Sequence, residues 1–294
     1  MVEVPEAFRA MPRWWHDDAG RAWLAELSAL VTGQCGRWGL AVDGAPWHGS
    51  NALVVPVVRA GEPMALRLAP PGDDVTAQAR ALHLWAGRGA VLLHDVDDDR
   101  RALLLERLDG SATLAGVPVD EAVEVLAALA VRLSVPVPAD VPGTAAAAAE
   151  LAASLPGQWE ALARPFPAPQ LEQVLRAARA RADAPFPDLA VDGDLHPEQV
   201  LRARREPWLV VDPLLLRGDL EHDLGRVLWS RLDEVGGDAA VVALFDRFVD
   251  VAGAPRERAR DWVLVRAASY LVWGLQRGLT LDPPRCRRLL DLFA

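Results

Sequence analysis

Asp194 and Gln199 lie five residues apart in one polar loop, Asp192-Gly193-Asp194-Leu195-His196-Pro197-Glu198-Gln199, and Asp212 follows a short distance on. A β-like run ending at Val191 leads into the loop. Val200–Arg202 leads out of it and, after a turn, Trp208–Val211 delivers the chain to Asp212-Pro213. Two acids at the ends of neighbouring short strands, with an amide between them, make a set of hard oxygen donors. Mg²⁺ takes such donors, usually one or two carboxylates completed by phosphate oxygens.

The elements that must carry these residues follow from periodicity. Residues 17–34 read as an amphipathic helix with Trp23, Leu24, Leu27, Leu30 and Val31 on one stripe. From Trp38 to Leu68 the pattern becomes β-like, in runs broken by the turn-rich segments 43–51 and 59–63. Asp73–Trp85 predicts a helix. Ala90–His94 and Ala102–Leu108 predict two strands around the acidic turn Asp95–Arg100, whose tip reads as a solvated surface. Residues 1–108 therefore predict a small sheet holding one helix. Residues 109–294 predict a mainly helical part, with helices at 119–133, 144–163, 168–182, 219–232, 238–251, 256–276 and 283–293. The polar loop sits in the one β-like island, Asp188–Pro213, that interrupts them.

Composition narrows the function. The 294 residues carry a net charge of −10, which argues against duplex nucleic acid as a partner and suits a cationic or neutral small molecule. No run of 18 apolar residues and no basic, apolar, small-residue leader occurs, so neither a membrane partner nor a signal peptide is expected, and a cytoplasmic location follows. The two cysteines, Cys35 and Cys286, have no metal or disulfide spacing. Lys and Ile are absent, and Asn51 and Tyr270 are the sole Asn and Tyr. The absence of Lys removes a Walker-type phosphate loop and any Schiff-base lysine. The scattered His48, His83, His94 and His222 read as structural, His196 as a fastener of its loop, and the tryptophans, Trp14 and Trp15 included, as packing residues.

The spacing Asp-x-x-x-x-Gln repeats the Asp-x-x-x-x-Asn of a kinase catalytic loop, and Asp212 falls where a kinase places its metal-binding Asp. The island resembles the aminoglycoside phosphotransferase superfamily, and most nearly its streptomycin 6-kinase and hydroxyurea phosphotransferase branch. Segments 36–61, 82–114 and 205–229 extend the resemblance over roughly residues 20–280. It implies an α+β, two-lobed protein-kinase-like fold: a small antiparallel-sheet N-lobe (1–108), a larger helical C-lobe (109–294), and ATP or GTP with Mg²⁺ in the cleft between them. By the same resemblance Asp194 would be the catalytic base, and Gln199 and Asp212 the metal ligands. Gly49, Ser50 and Asn51 would form the turn over the phosphates. Glu106 to Leu108 would be the hinge that pairs with adenine, and Asp223 would brace the loop after Asp212. The expected activity is transfer of phosphate to a hydroxyl of a small molecule, an aminoglycoside-like antibiotic or related metabolite, by a monomer or weak dimer.

Four positions depart from that family's pattern. Arg67 stands where the third-strand Lys belongs, and Gln78 where its helix Glu partner belongs, with Asp74 one turn earlier as another possible partner. Asp192 replaces the loop's first His, and Gln199 its Asn. Gln keeps the amide oxygen. Arg keeps the charge but not the shape of Lys. The alternative that Arg67, Gln78 and Asp192 support is a pseudokinase that binds a nucleotide or metabolite without transferring phosphate.

Overall fold

The computed structural model describes residues 2–15, 17–49 and 51–294. It divides into two compact units, Met1–Ala112 with Leu201–Val211, and Thr113–Val200 with Asp212–Ala294. Among the described residues no helix is long and apolar enough to cross a membrane.

The first unit opens with α1 (Glu6–Arg9) and α2 (Asp18–Trp38). Asp17 caps α2 by accepting the Gly20 N–H, and Gly39 ends it in the left-handed conformation at φ 64°. Strands β1 (Ala41–Val42), β2 (Trp47–His48), β3 (Leu53–Arg59) and β4 (Glu62–Leu68) follow, then helix α3 (Val75–Trp85), then β5 (Leu93–Asp97), β6 (Ala102–Glu106) and β7 (Asp109–Thr113). The main sheet runs β1-β3-β4-β6-β5, with β2 paired to β3, and its ladders are antiparallel. One face of it packs Val55, Val57, Met64, Leu66, Leu68 and Leu104 against Trp23, Leu24, Leu27 and Val31 of α2. Each such large side chain taken from water contributes about 1.5–3 kcal/mol. Phe8 and Trp14 close the end of this core edge to face, 5.3 Å apart, with the Trp14 indole N–H donating to the Phe8 carbonyl at 2.6 Å. Trp15, expected to pack, is instead 66% exposed.

The second unit carries helices α4 (Val119–Leu133), α5 (Thr144–Ala161) and α6 (Ala168–Asp183), then strand β8 (Ala190–Val191). Next in the chain come β9 (Val200–Arg202) and β10 (Trp208–Val210), a hairpin that clusters with the first unit. There β9 lies between β10 and β7, and β10 exchanges backbone hydrogen bonds with Gly89 and Val91. Strand β11 (Leu216–Arg217) returns to pair antiparallel with β8. Helices α7 (Leu224–Trp229), α8 (Asp238–Ala252), α9 (Arg256–Gln276) and α10 (Asp282–Phe293) complete the unit.

The predicted helix 219–232 is broken into a short 3₁₀ turn at Leu220–Asp223 and α7. The cause lies in side-chain bonds that an exposed amphipathic helix would not make. Asp219 accepts the Trp262 indole N–H at 3.0 Å, and Glu221 accepts two bonds from Arg258 at 2.9 and 2.7 Å. The predicted strand Ala90–His94 lies three residues late, as β5, because Gly89 and Val91 are already bonded to Val210.

Candidate active site

The loop between β8 and β9 is pinned from several sides. Gly193 adopts φ 88°, and a Cβ there would stand 3.0 Å from Leu216, so glycine suits both the backbone and the space. Its N–H donates to Asp223 Oδ2 at 3.2 Å, and its carbonyl accepts from Arg266 Nη2 at 3.2 Å. Asp223 thus braces the loop that carries Asp194, where the sequence suggested the loop after Asp212. Asp192 Oδ1 accepts the Asp194 N–H at 3.1 Å. Gln199 Nε2 donates to the Asp194 carbonyl at 2.8 Å. His196 fastens the outer edge, Nδ1 to Glu198 Oε2 at 2.6 Å.

These bonds leave two groups presented. The Asp194 carboxylate is 41% exposed, with Arg226 Nε 3.1 Å from Oδ1 and His196 Nε2 3.8 Å from Oδ2. The Gln199 side-chain oxygen is buried and takes no hydrogen bond among the described residues. Because the amide nitrogen is committed to the Asp194 carbonyl, that oxygen is left as a bare hard donor. A cation satisfies such an orphan where burial has removed water.

Charge gathers at this point. Burial pushes the Asp194 carboxyl above its ordinary range, against the pull of Arg226, His196 and Arg266. Asp192 is driven well above it by burial first, then by the charge of Asp223, with Asp194 and Asp212 adding to the rise. Asp212 is thereby placed within electrostatic reach of the loop. Among the described residues no three His, Cys, Asp or Glu side chains form a metal cluster. A Gln amide oxygen and an Asp carboxylate are both hard donors, and a Mg²⁺ site takes one or two carboxylates and completes its shell with phosphate oxygens and water.

Asp192 carries a testable consequence. The folded state holds its proton more tightly than the unfolded chain, so stability is lost as pH rises from about 4, the ordinary Asp value, through the raised folded value. Asp192→Asn keeps the oxygen that takes the Asp194 N–H and never ionises. Its melting temperature relative to wild type is expected to rise with pH across that window. A difference that stays flat with pH overturns the assignment.

In the first unit, Arg67 is 7% exposed on β4, flanked in register by Val54 and Leu103. Alternation turns it away from the core face that takes Leu66 and Leu68. Gln78, on α3, is 8% exposed. Asp74 caps α3 by accepting the Ala77 N–H at 2.8 Å. Gly49 and Asn51 lie in the turn between β2 and β3, where the Asn51 side-chain oxygen accepts from Arg13. Ser50 lies outside the described residues. At the end of β6 the Glu106 N–H is bonded to the Leu92 carbonyl at 2.9 Å, and its carboxylate takes Arg205 at 3.0 Å and the Leu92 N–H at 3.2 Å. Leu108 is buried just beyond.

Sequence reasoning did not single out Arg226 or Arg266. Each lies far along the chain from Asp194 on a helix whose period shows only that it is helical, so spacing held no signal for them.

The fold is that of the protein-kinase-like phosphotransferases. It matches the crystal structure of the aminoglycoside phosphotransferase APH(4)-Ia with a TM-score of 0.60 at 15% identity, over 91% of this chain and 98% of that one. The chain belongs to the family described as aminoglycoside/hydroxyurea antibiotic resistance kinase, whose model matches residues 37–278. It is similar to streptomycin 6-kinase of Streptomyces griseus, 40% identical over 96% of this chain and 94% of that protein. It is also similar to hydroxyurea phosphotransferase of Kitasatospora aureofaciens, 38% identical over 97% of this chain and 84% of that protein. The chain is accordingly a small-molecule kinase that draws its phosphoryl group from a nucleotide.

Proposed function

We propose that the protein transfers the γ-phosphoryl group of Mg²⁺-ATP to a hydroxyl of an aminoglycoside-like acceptor, with streptomycin the first to test. The observation that carries this reading is the pinned loop, which presents the Asp194 carboxylate and a buried, unbonded Gln199 oxygen together. Asp194 orients the acceptor hydroxyl and receives its proton as the oxygen attacks. Gln199 and Asp212 hold Mg²⁺, which when bound neutralises charge developing on the phosphates. Arg67, with Gln78 beside it in role, grips phosphate oxygens, and Gly49, Ser50 and Asn51 are the segment assigned to cover them. With its N–H committed to Leu92, Glu106 offers adenine its carbonyl, and Leu108 its N–H. The similarity to a streptomycin 6-kinase and the negative net charge support a hydroxylated, cationic acceptor. The protein would meet it as a monomer or weak dimer in the cytoplasm.

The test is a thermal-shift titration with ATP and with GTP, each with and without Mg²⁺, followed by mass analysis of streptomycin incubated with the enzyme. Mg²⁺-ATP at a hundred times its Kd is expected to stabilise the fold by about 2.7 kcal/mol, and streptomycin to gain one phosphoryl group. No shift with either nucleotide at millimolar concentration overturns the reading in favour of a binding protein that does not use nucleotide.

A further inference from the structure

The Asp194 carboxylate has its near ion pair on one side only, with Arg226, whose Nε–H is not aligned for a hydrogen bond to it. Arg226 Nε stands 3.1 Å from Oδ1, while Oδ2 has no neighbour nearer than the His196 ring at 3.8 Å among its ion pairs. The remaining charged groups that face Asp194 are committed elsewhere. Arg266 holds the Gly193 carbonyl, and Asp223 holds the Gly193 N–H.

Arg226 is itself fixed from three helices. It belongs to α7. Its guanidinium lies 5.7 Å from the ring of Trp229 on the same helix and 5.9 Å from Tyr270 on α9. Its Nη1 lies 3.9 Å from Asp282 Oδ2 at the start of α10. Asp282 is held in turn by Arg285, 3.1 Å away, which also donates to the Ser230 carbonyl at 3.1 Å. The Arg226 side chain is only 17% exposed, so an aromatic and ionic socket sets its position. A guanidinium this constrained has little freedom to follow a moving carboxylate, whereas the carboxylate can turn to meet it.

Building on the kinase reading above, we infer that Arg226 is a positioning residue: the pull of its charge on Oδ1 sets the rotation of the Asp194 carboxylate, and Oδ2 is the oxygen that meets the acceptor hydroxyl. The hydroxyl proton passes to Oδ2 as the acceptor oxygen forms its bond to the γ-phosphorus. The bond from that phosphorus to the β-γ bridging oxygen breaks, and nucleoside diphosphate leaves. Asp282 and the rings of Trp229 and Tyr270 act through Arg226.

The experiment compares the full chain with its Arg226→Gln and Arg226→Lys variants. Two reactions are followed with Mg²⁺-ATP: phosphorylation of streptomycin, and acceptor-free ATP hydrolysis, in which water takes the place of the hydroxyl. Arg226→Gln is expected to lower kcat in both by on the order of a hundredfold, the scale of a slight misplacement of reacting groups. The KM for Mg²⁺-ATP is expected to stay at the wild-type value, and Arg226→Lys to recover most of the loss. Wild-type kcat in the Gln variant overturns the inference. So does a loss equally large in the Lys variant and accompanied by a weakened KM and a lowered melting temperature, which marks a structural role. A wild-type enzyme that turns over neither reaction overturns the kinase reading, and this inference with it.

Discussion

Asp194→Asn is expected to lower kcat about a thousandfold, within the range of 10²–10⁴ that a positioned base contributes. The substitution is nearly isosteric, and the contacts that shape the loop come from backbone groups of residues 193 and 194 and from Asp192, Asp223, Gln199 and Arg266. The loop should therefore keep its form, and Mg²⁺-ATP affinity should hold. What disappears is the negative charge that orients a hydroxyl and takes up its proton. Steady-state kinetics with streptomycin, alongside the nucleotide titration, separate the two effects. A variant retaining more than about a tenth of wild-type kcat, well short of that range, would remove Asp194 from the role of base.

Arg67→Ala is expected to cost about 3–4 kcal/mol of transition-state stabilisation, on the order of a hundred- to a thousandfold in turnover. Arg67 is 7% exposed on its strand, and a charge so far from water acts more strongly on a neighbouring anion. Alternation has already turned Arg67 away from the apolar face of β4. Gripping phosphate is the use that the kinase reading assigns, and it matters most as charge shifts in the transition state. The loss should thus fall on kcat far more than on acceptor KM. Arg67→Lys, which restores a cation of the usual family type, should be tolerated and is expected to match or exceed wild type. Unchanged turnover in Arg67→Ala would exclude the residue from the chemistry.

The sequence was most informative where a single local period sufficed. Helices 119–133 and 256–276 begin and end where the apolar spacing places them, as does the strand Val200–Arg202. The oxygen-donor loop was legible because its residue types and spacing are local as well. Legibility failed where a distant partner decides the local form. Side-chain bonds from Arg258 and Trp262 break the helix expected at 219–232. Backbone bonds to Val210 displace the strand expected at 90–94. The socket around Arg226 draws on α7, α9 and α10, and no spacing within any one of them announces it.

The hairpin of β9 and β10 bears on how this chain comes off the ribosome. The first unit includes Leu201–Val211, so β7 lacks its neighbour β9, and Gly89 and Val91 lack Val210, until residue 211 has been synthesised. By then α4, α5 and α6 of the second unit have already emerged. The amino-terminal unit therefore cannot mature until residues 113–200 of the other unit have been made, although it is complete before Asp212–Ala294 follow. A cut between residues 112 and 113 would release a fragment with exposed strand edges, prone to self-association, rather than an isolated nucleotide-binding module.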